Sequence, residues 1–172
     1  MSEQLERSKT FHATQNTWSG KGTMQYADAI KNLIDKYSCK TLLDYGCGKG
    51  VQYTEYKVHE QFELDLDNIY QFDPAYEPLA KEPDWNQKFD GSICLDVLYF
   101  VTEDELKEIK SRLERVSAKF CYITLQLQPP KPSSLKSKPY ALLKDEEWWR
   151  SQFADWQSDA ELVLEFRINT SR

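Results

Sequence analysis

The sequence predicts an α/β fold in which a mainly parallel sheet is covered by helices on both faces. Three observations predict it. Short apolar runs alternate with amphipathic segments along most of the 172 residues. One run, Leu42-Leu43-Asp44-Tyr45, passes directly into glycines at every second position, Gly46, Gly48 and Gly50, as a tight strand-to-helix turn requires. The composition is 40% hydrophobic and 29% charged, ordinary for a globular chain of a length that suits a single core.

The elements follow in order. Residues 1–22 are polar with scattered aromatics, Phe11 and Trp18, and read as a flexible arm able to fold over the body; residues 23–172 read as one domain. Thr23 is placed to cap a helix over residues 24–37, because Tyr26, Ile30, Leu33, Ile34 and Tyr37 recur at helical spacing. A first strand covers residues 40–45, and a helix from near Lys49 runs to Val58. Residues 60–67 alternate acidic and apolar, as a short strand or an exposed loop would. Residues 69–73 form a second strand, stopped by Pro74. Pro78 and Pro83 leave the stretch to residue 88 as loop. Phe89 to Leu95 is a third, buried strand. Thr102 and Glu105 form a capping box for a helix whose apolar face is Leu106, Ile109, Leu113 and Val116. Phe120 to Leu125 is a fourth strand, and Asp145 caps a last helix bearing Trp149, Phe153 and Trp156. Leu162, Leu164, Phe166 and Ile168 alternate with polar residues as a half-exposed strand at or near a sheet edge.

Composition narrows the function. The net charge of -6 leans against general nucleic-acid binding, which a basic balance usually accompanies. Cys39, Cys47, Cys94 and Cys121 form no CxxC unit and lie mostly in apolar runs. They read as reduced thiols of a cytoplasmic protein, with no disulfide frame and no metal site. The polar Met1 to Thr10 stretch is no signal peptide, and no run is long enough to span a membrane.

The chemistry concentrates at Asp44 to Gly50. A dinucleotide fingerprint needs GxGxxG, and here the third glycine comes one residue early. The acid before the loop would repel a pyrophosphate. It suits a ligand with a positive amino group and a sulfonium but no phosphate, as in S-adenosylmethionine. The stretch Leu42-Leu43-Asp44-Tyr45-Gly46-Cys47-Gly48-Lys49-Gly50 resembles motif I of the class I S-adenosylmethionine-dependent methyltransferases, where a strand ending in Asp leads into GCGxG. The likeness extends over about residues 24–125 and is closest to small stand-alone members, a type found in bacteriophage genomes.

The resemblance implies a Rossmann-like methyltransferase sheet and a set of ligand contacts. Gly46, Gly48 and Gly50, with Tyr45 and Cys47, shape the methionine end of the pocket, and Asp44 holds the amino group. Phe72-Asp73, followed by Pro74, resembles the second-strand acid that holds the ribose hydroxyls; Asp67 competes for that role, but Asp73 has the better strand before it. Residues 89–98 resemble the fourth-strand motif, so Cys94, Leu95 and Asp96 line the floor. Tyr53 lies near the expected methionine carboxylate, with packing against the sheet as its alternative. Three departures stand out. The stretch from Asp73 to Phe89 is too short for the usual helix–strand–helix, so the sheet is shortened there and the customary adenine contact is missing. Tyr99-Phe100 replaces the Glu-His that many members carry. One strand, not two, follows the last helix.

Other residues are open to two readings. Asp96, His12 and Tyr99 are candidates for the catalytic step: Asp96 as a substrate-facing acid or a surface acid, His12 as a base on the arm or a surface histidine. Gln128-Pro129-Pro130-Lys131 departs too far from the Pro-Pro motif of DNA amino-methyltransferases and reads as loop. The Lys131, Lys136, Lys138 and Lys144 loop, within residues 128–144, suits an anionic acceptor or is simply solvated. Glu60, Glu63, Asp65 and Asp67 lack the spacing of a calcium loop. The expected function is methyl transfer from S-adenosylmethionine, leaving S-adenosylhomocysteine, to an acceptor that is more plausibly a small molecule than nucleic acid. The alternatives are a non-catalytic binding module, an enzyme that cleaves the donor itself, and an interaction protein on a vestigial fold.

Overall fold

A computed structural model describes residues 2–14, 18–127 and 140–167. The elements run α1 Glu3–Thr14, α2 Ala27–Tyr37, β1 Leu42–Tyr45, α3 Val51–Thr54, α4 Val58–Phe62, β2 Ile69–Phe72, β3 Phe89–Leu95, α5 Glu103–Val116, β4 Ser117–Gln126, α6 Glu146–Gln152 and β5 Glu161–Arg167. The five strands form one all-parallel sheet in the order β2-β1-β3-β4-β5. This is a Rossmann-like arrangement with helices on both faces. From β1 the chain passes outward to β2, then crosses back to β3 on the other side of β1. That reversal opens a crevice beyond the carboxyl ends of β1 and β3, where ligands of such sheets bind.

The strands are apolar for a reason: β1 is buried at all four positions, as a central parallel strand covered twice must be. On one face Leu43, Tyr45, Cys94, Ile123 and Leu125 pack under α5 and α6. On the other, Leu42, Ile93, Phe120 and Tyr122 meet Ile30 and Ile34 of α2 and Val58 and Phe62 of α4. Helix α5 carries the capping box, with the Thr102 hydroxyl accepting from Glu105 N–H and the Glu105 carboxylate accepting from Thr102 N–H. It buries Leu106, Ile109, Leu113 and Val116, worth about 2 kcal/mol each before the entropy of ordering is counted. Asp145 caps α6 through Trp148 N–H at 2.8 Å. β5 pairs only with β4 among the described strands. No described helix is long and apolar enough to cross a membrane.

Several local expectations change. Thr23 does not cap α2. It is buried inside a 3-10 turn, Lys21–Tyr26, and its N–H bonds Gly20 O. The helix expected over residues 49–58 is two short ones. Buried Gln52 and Tyr53 hold the single turn of α3 against β1, and the backbone breaks at Lys57, at φ 50. Residues 60–67 form no strand, since Glu63 at φ 55 ends α4 and a 3-10 turn follows over Leu66–Asn68. Between β2 and β3 only a 3-10 turn, Glu77–Leu79, intervenes, with no strand or α-helix between them. The segment expected as an arm holds a helix, α1. Its buried positions Gln4, Ser8, Phe11 and His12 share one helical face.

Candidate functional site

At the β1/β3 crevice lies a cavity of about 630 Å³, within the usual range for small-molecule sites. Three walls build it. The floor is Asp44 to Gly48 from the end of β1, Asp73-Pro74-Ala75 from the end of β2, and Leu95-Asp96-Val97 from the end of β3. The first turn and middle of α5, with Glu105, Glu108, Ile109 and Arg112, make a side wall. The roof is the N-terminal segment, through Gln4, Ser8, His12, Trp18 and Gly20. Ser2 bonds Glu105, and Gln4 Nε2 bonds Phe100 O at 2.7 Å, fastening the roof to the side wall.

The glycine loop spends its N–H groups inside the chain. Gly46 and Cys47 donate to Phe72 O, and Gly48 donates to Asp73 Oδ2 at 2.8 Å. Lys49 donates to Trp18 O at 3.0 Å and Val51 to Ser19 O at 2.9 Å. A phosphate cradle needs such amides free. The approach of residues 18–20 to the loop depends on two glycines with positive φ. A Cβ on Gly48, at φ +63, would stand 2.2 Å from Trp18 O; one on Gly20, at φ +91, would stand 1.8 Å from Gln52 Oε1.

Asp44 is 1% exposed. Its Oδ2 accepts from Tyr53 OH at 2.8 Å and Gln52 Nε2 at 3.1 Å. Burial pushes its pKa up to about 6, the two hydrogen bonds pull it back, and the nearby Asp73 carboxylate adds to the rise. Asp73 is buried too. Besides Gly48 N–H, its Oδ1 accepts from Ala75 N–H at 2.9 Å, and His12 Nε2 stands 3.7 Å from Oδ2. Asp96 adopts φ 58, a strained setting for a residue other than glycine. Its Oδ1 accepts from Thr124 OH, and its Oδ2 accepts from Tyr26 OH at 3.1 Å and pairs with Arg167 at 3.3 Å. The Tyr26 hydroxyl is pushed up to about 12, first by burial and then by the Asp96 charge. The cavity wall thus carries six carboxylates, Asp44, Asp73, Glu82, Asp96, Glu105 and Glu108, against one guanidinium, Arg112. Glu82 and Glu108 share that guanidinium.

Most residues singled out from the sequence meet in this cavity. Asp44, Tyr45, Gly46, Cys47, Gly48, Asp73, Pro74, Leu95 and Asp96 line it, as do His12 and Tyr99. Three do not: Gly50, Tyr53 and Cys94 lie outside its wall. Gly50 sits against Gln71 and Leu79. Tyr53 turns inward, where its hydroxyl holds Asp44. Cys94 is fully buried in the sheet, and burial raises its thiol far above the ordinary range. All four cysteines are free and buried.

Other wall residues escaped notice: Gln4, Ser8, Gly20, Glu105, Glu108 and Arg112. The helical spacing of Gln4, Ser8, Phe11 and His12 was the available signal, hidden because the buried face is largely polar. Lys131, Lys136 and Lys138 lie outside the described residues. Lys144 is paired with Glu103 at 3.2 Å and lies over the Trp148 ring, so it adds no free positive charge to a basic loop. The segment beginning at Tyr140 packs on the site's edge, where Ala141 and Leu142 N–H bond Tyr99 O and Tyr140 stacks on Phe100.

No protein-family model matches the chain, and no curated protein sequence matches it at a significant level.

Proposed function

We propose that this protein binds S-adenosylmethionine in the β1/β3 cavity and transfers its methyl group to a small acceptor. One observation carries the reading. A buried strand-end carboxylate, Asp44, and a glycine loop with its amides already engaged bound a cavity whose wall is acidic. Such a wall favours a positively charged, phosphate-free ligand and disfavours a dinucleotide.

The residues divide the work. Asp44 is placed to take the ligand's ammonium, held in orientation by Tyr53 and Gln52. Asp73 is placed to take ribose hydroxyls, its own carboxylate fixed by Gly48 and Ala75 N–H groups. Of the other wall carboxylates, Glu82 and Glu108 are paired with Arg112 and Asp96 with Arg167, so the preference for a sulfonium over a neutral thioether rests on Asp44 and Asp73. The donor, when bound, supplies an already activated methyl group, so catalysis asks mainly for alignment and exclusion of water. The roof of α1 and residues 18–20 supplies the exclusion. The acidic wall also bears on the acceptor: it suits a neutral or cationic molecule better than an anionic one.

A second reading, a module that binds the donor without transfer, draws on Asp96 and Tyr99. Asp96 is tied to Arg167, Tyr26 and Thr124, and Tyr99 is buried with its hydroxyl pKa raised, so neither offers a ready base. Incubation with methyl-labelled donor, with and without cell extract, followed by mass spectrometry, separates the possibilities. Label in an extract component supports transfer. Breakdown without extract means donor cleavage. Binding in calorimetry with no turnover leaves the module, and no binding at all sinks the proposal. Asp73→Asn is expected to weaken donor binding at least tenfold, through the loss of a charge-assisted hydrogen bond.

A further inference from the structure

We propose that the free edge of β5 is a homodimer interface, at which β5 pairs antiparallel with β5 of a second copy about a two-fold axis at Leu164 and joins two sheets into one. The inference is independent of the ligand reading. β5 follows β4 in unbroken register over seven residues, Glu161 to Arg167, and each of them is half-buried. No described strand lies beyond it. An edge strand is normally blunted by shortness, proline, lysine or a bulge, because its open backbone groups invite another strand. At the opposite edge, β2 is only four residues long and Pro74 follows it closely. The loop beyond is tied back to β2, with Tyr70 OH meeting Lys81 O and Glu82 O at 3.2 Å each. β5 carries none of these devices.

The backbone fixes which groups are open. Leu127 N–H donates to Arg167 O at 3.0 Å, so Arg167 turns its backbone polar groups toward β4. Alternation along the strand turns those of Glu161, Val163 and Glu165 the same way, and those of Leu162, Leu164 and Phe166 outward. Residues of an antiparallel pair that face each other in this way exchange two N–H···O bonds.

Hydrogen bonding and charge choose the same register. With Leu164 opposite Leu164, Leu162 faces Phe166, and all three outward residues of each copy are bonded. Glu161 then lies opposite Arg167 at both ends of the junction, and Val163 lies opposite Glu165. A slip of two residues bonds only two outward residues per copy. It also sets glutamates directly opposite each other, Glu161 against Glu165 one way and Glu165 against Glu165 the other, which is destabilising. The Glu161 and Arg167 side chains are 38% and 39% exposed beside their own partners, Lys36 and Asp96, so a second copy can reach them. Leu162, Leu164 and Phe166 belong to the apolar face under α5 and α6, and the pairing continues that face from one copy into the next. The register is self-complementary, as a two-fold interface requires.

Sedimentation equilibrium of the full chain over a concentration series is the test. The wild type is expected to behave as a monomer–dimer system. Leu164→Pro removes the outward N–H at the axis and takes no bond from the β4 ladder, a change that edge strands accept; it is expected to leave a monomer. The register is read at Val163. Val163→Glu puts a carboxylate opposite Glu165 of the second copy, and two such contacts are expected to weaken the dimer about tenfold. Val163→Lys puts an ammonium there and is expected to hold or tighten it. Both variants replace the same half-buried side chain, so a purely structural effect moves them together. If circular dichroism shows that Leu164→Pro does not fold, the opposed response of the Val163 pair decides. A wild type that sediments as a monomer throughout, a dimer that survives Leu164→Pro, or equal responses to the two Val163 variants overturns the proposal.

Discussion

Replacing Asp44 with Asn separates what this carboxylate does for a ligand from what it does to the fold. Its pKa is about 6 in the folded protein against an ordinary 3.8. Burial causes the rise, and only the Tyr53 and Gln52 hydrogen bonds limit it. The folded state therefore holds the proton more tightly than the unfolded chain, and ionisation works against folding. The stability that goes with the protonated form is fully present below the unfolded value and is lost as the pH rises through the folded one. A shift of roughly two units amounts to about 3 kcal/mol at neutral pH and about half of that near pH 5. Asparagine has no charge to bury, and its oxygen can still accept from Tyr53. In urea unfolding, the stability of Asp44→Asn relative to wild type should climb by about 2 kcal/mol between about pH 4.5 and about pH 7.5. Donor binding, measured alongside, should be lost. A difference that stays flat with pH, or shrinks as the pH rises, refutes the argument that Asp44 is a desolvated carboxylate held for a cationic ligand. Such a trade of stability for function is common at binding sites.

Other outcomes follow from the same geometry. Tyr53→Phe removes a hydrogen bond to Asp44 without touching the cavity wall. It should cost about 1–3 kcal/mol, lift the Asp44 pKa above about 6, and move the pH dependence of donor binding upward; an unmoved profile counts against Tyr53 as a positioning residue. Gly48→Ala forces a Cβ to 2.2 Å from Trp18 O. Hydrogen exchange should show residues 18–20 lifting from the glycine loop, with about 1–3 kcal/mol lost, and unchanged protection of Lys49 and Val51 would contradict the contact. Thr102→Ala breaks the capping box of α5. It should cost about 1 kcal/mol in urea unfolding, and donor affinity should hardly change.

The sequence alone carried the parallel α/β plan, because its signals are local. Apolar runs at Leu42–Tyr45, Ile69–Phe72 and Phe89–Leu95 are strands in the structure at those positions. The Thr102 and Glu105 box and the Asp145 cap each act within one helical turn. The glycine loop was legible for the same reason, since chain reversal at a strand end demands those residue types. Contacts made across long stretches of chain were not legible. Tyr53 looked like a ligand neighbour; only the packing of α3 on β1 turned its hydroxyl to Asp44, nine residues back. Asp96 looked available; its Arg167 partner comes from the far end of the chain. The N-terminal segment looked like an arm because its inward face is polar, and a polar face registers as buried only once there is a cavity for it to roof. Local chemistry decided which elements form and where the glycine loop lies. The fold decided which carboxylates face one another across the cavity, and with them the charge that the cavity wall presents.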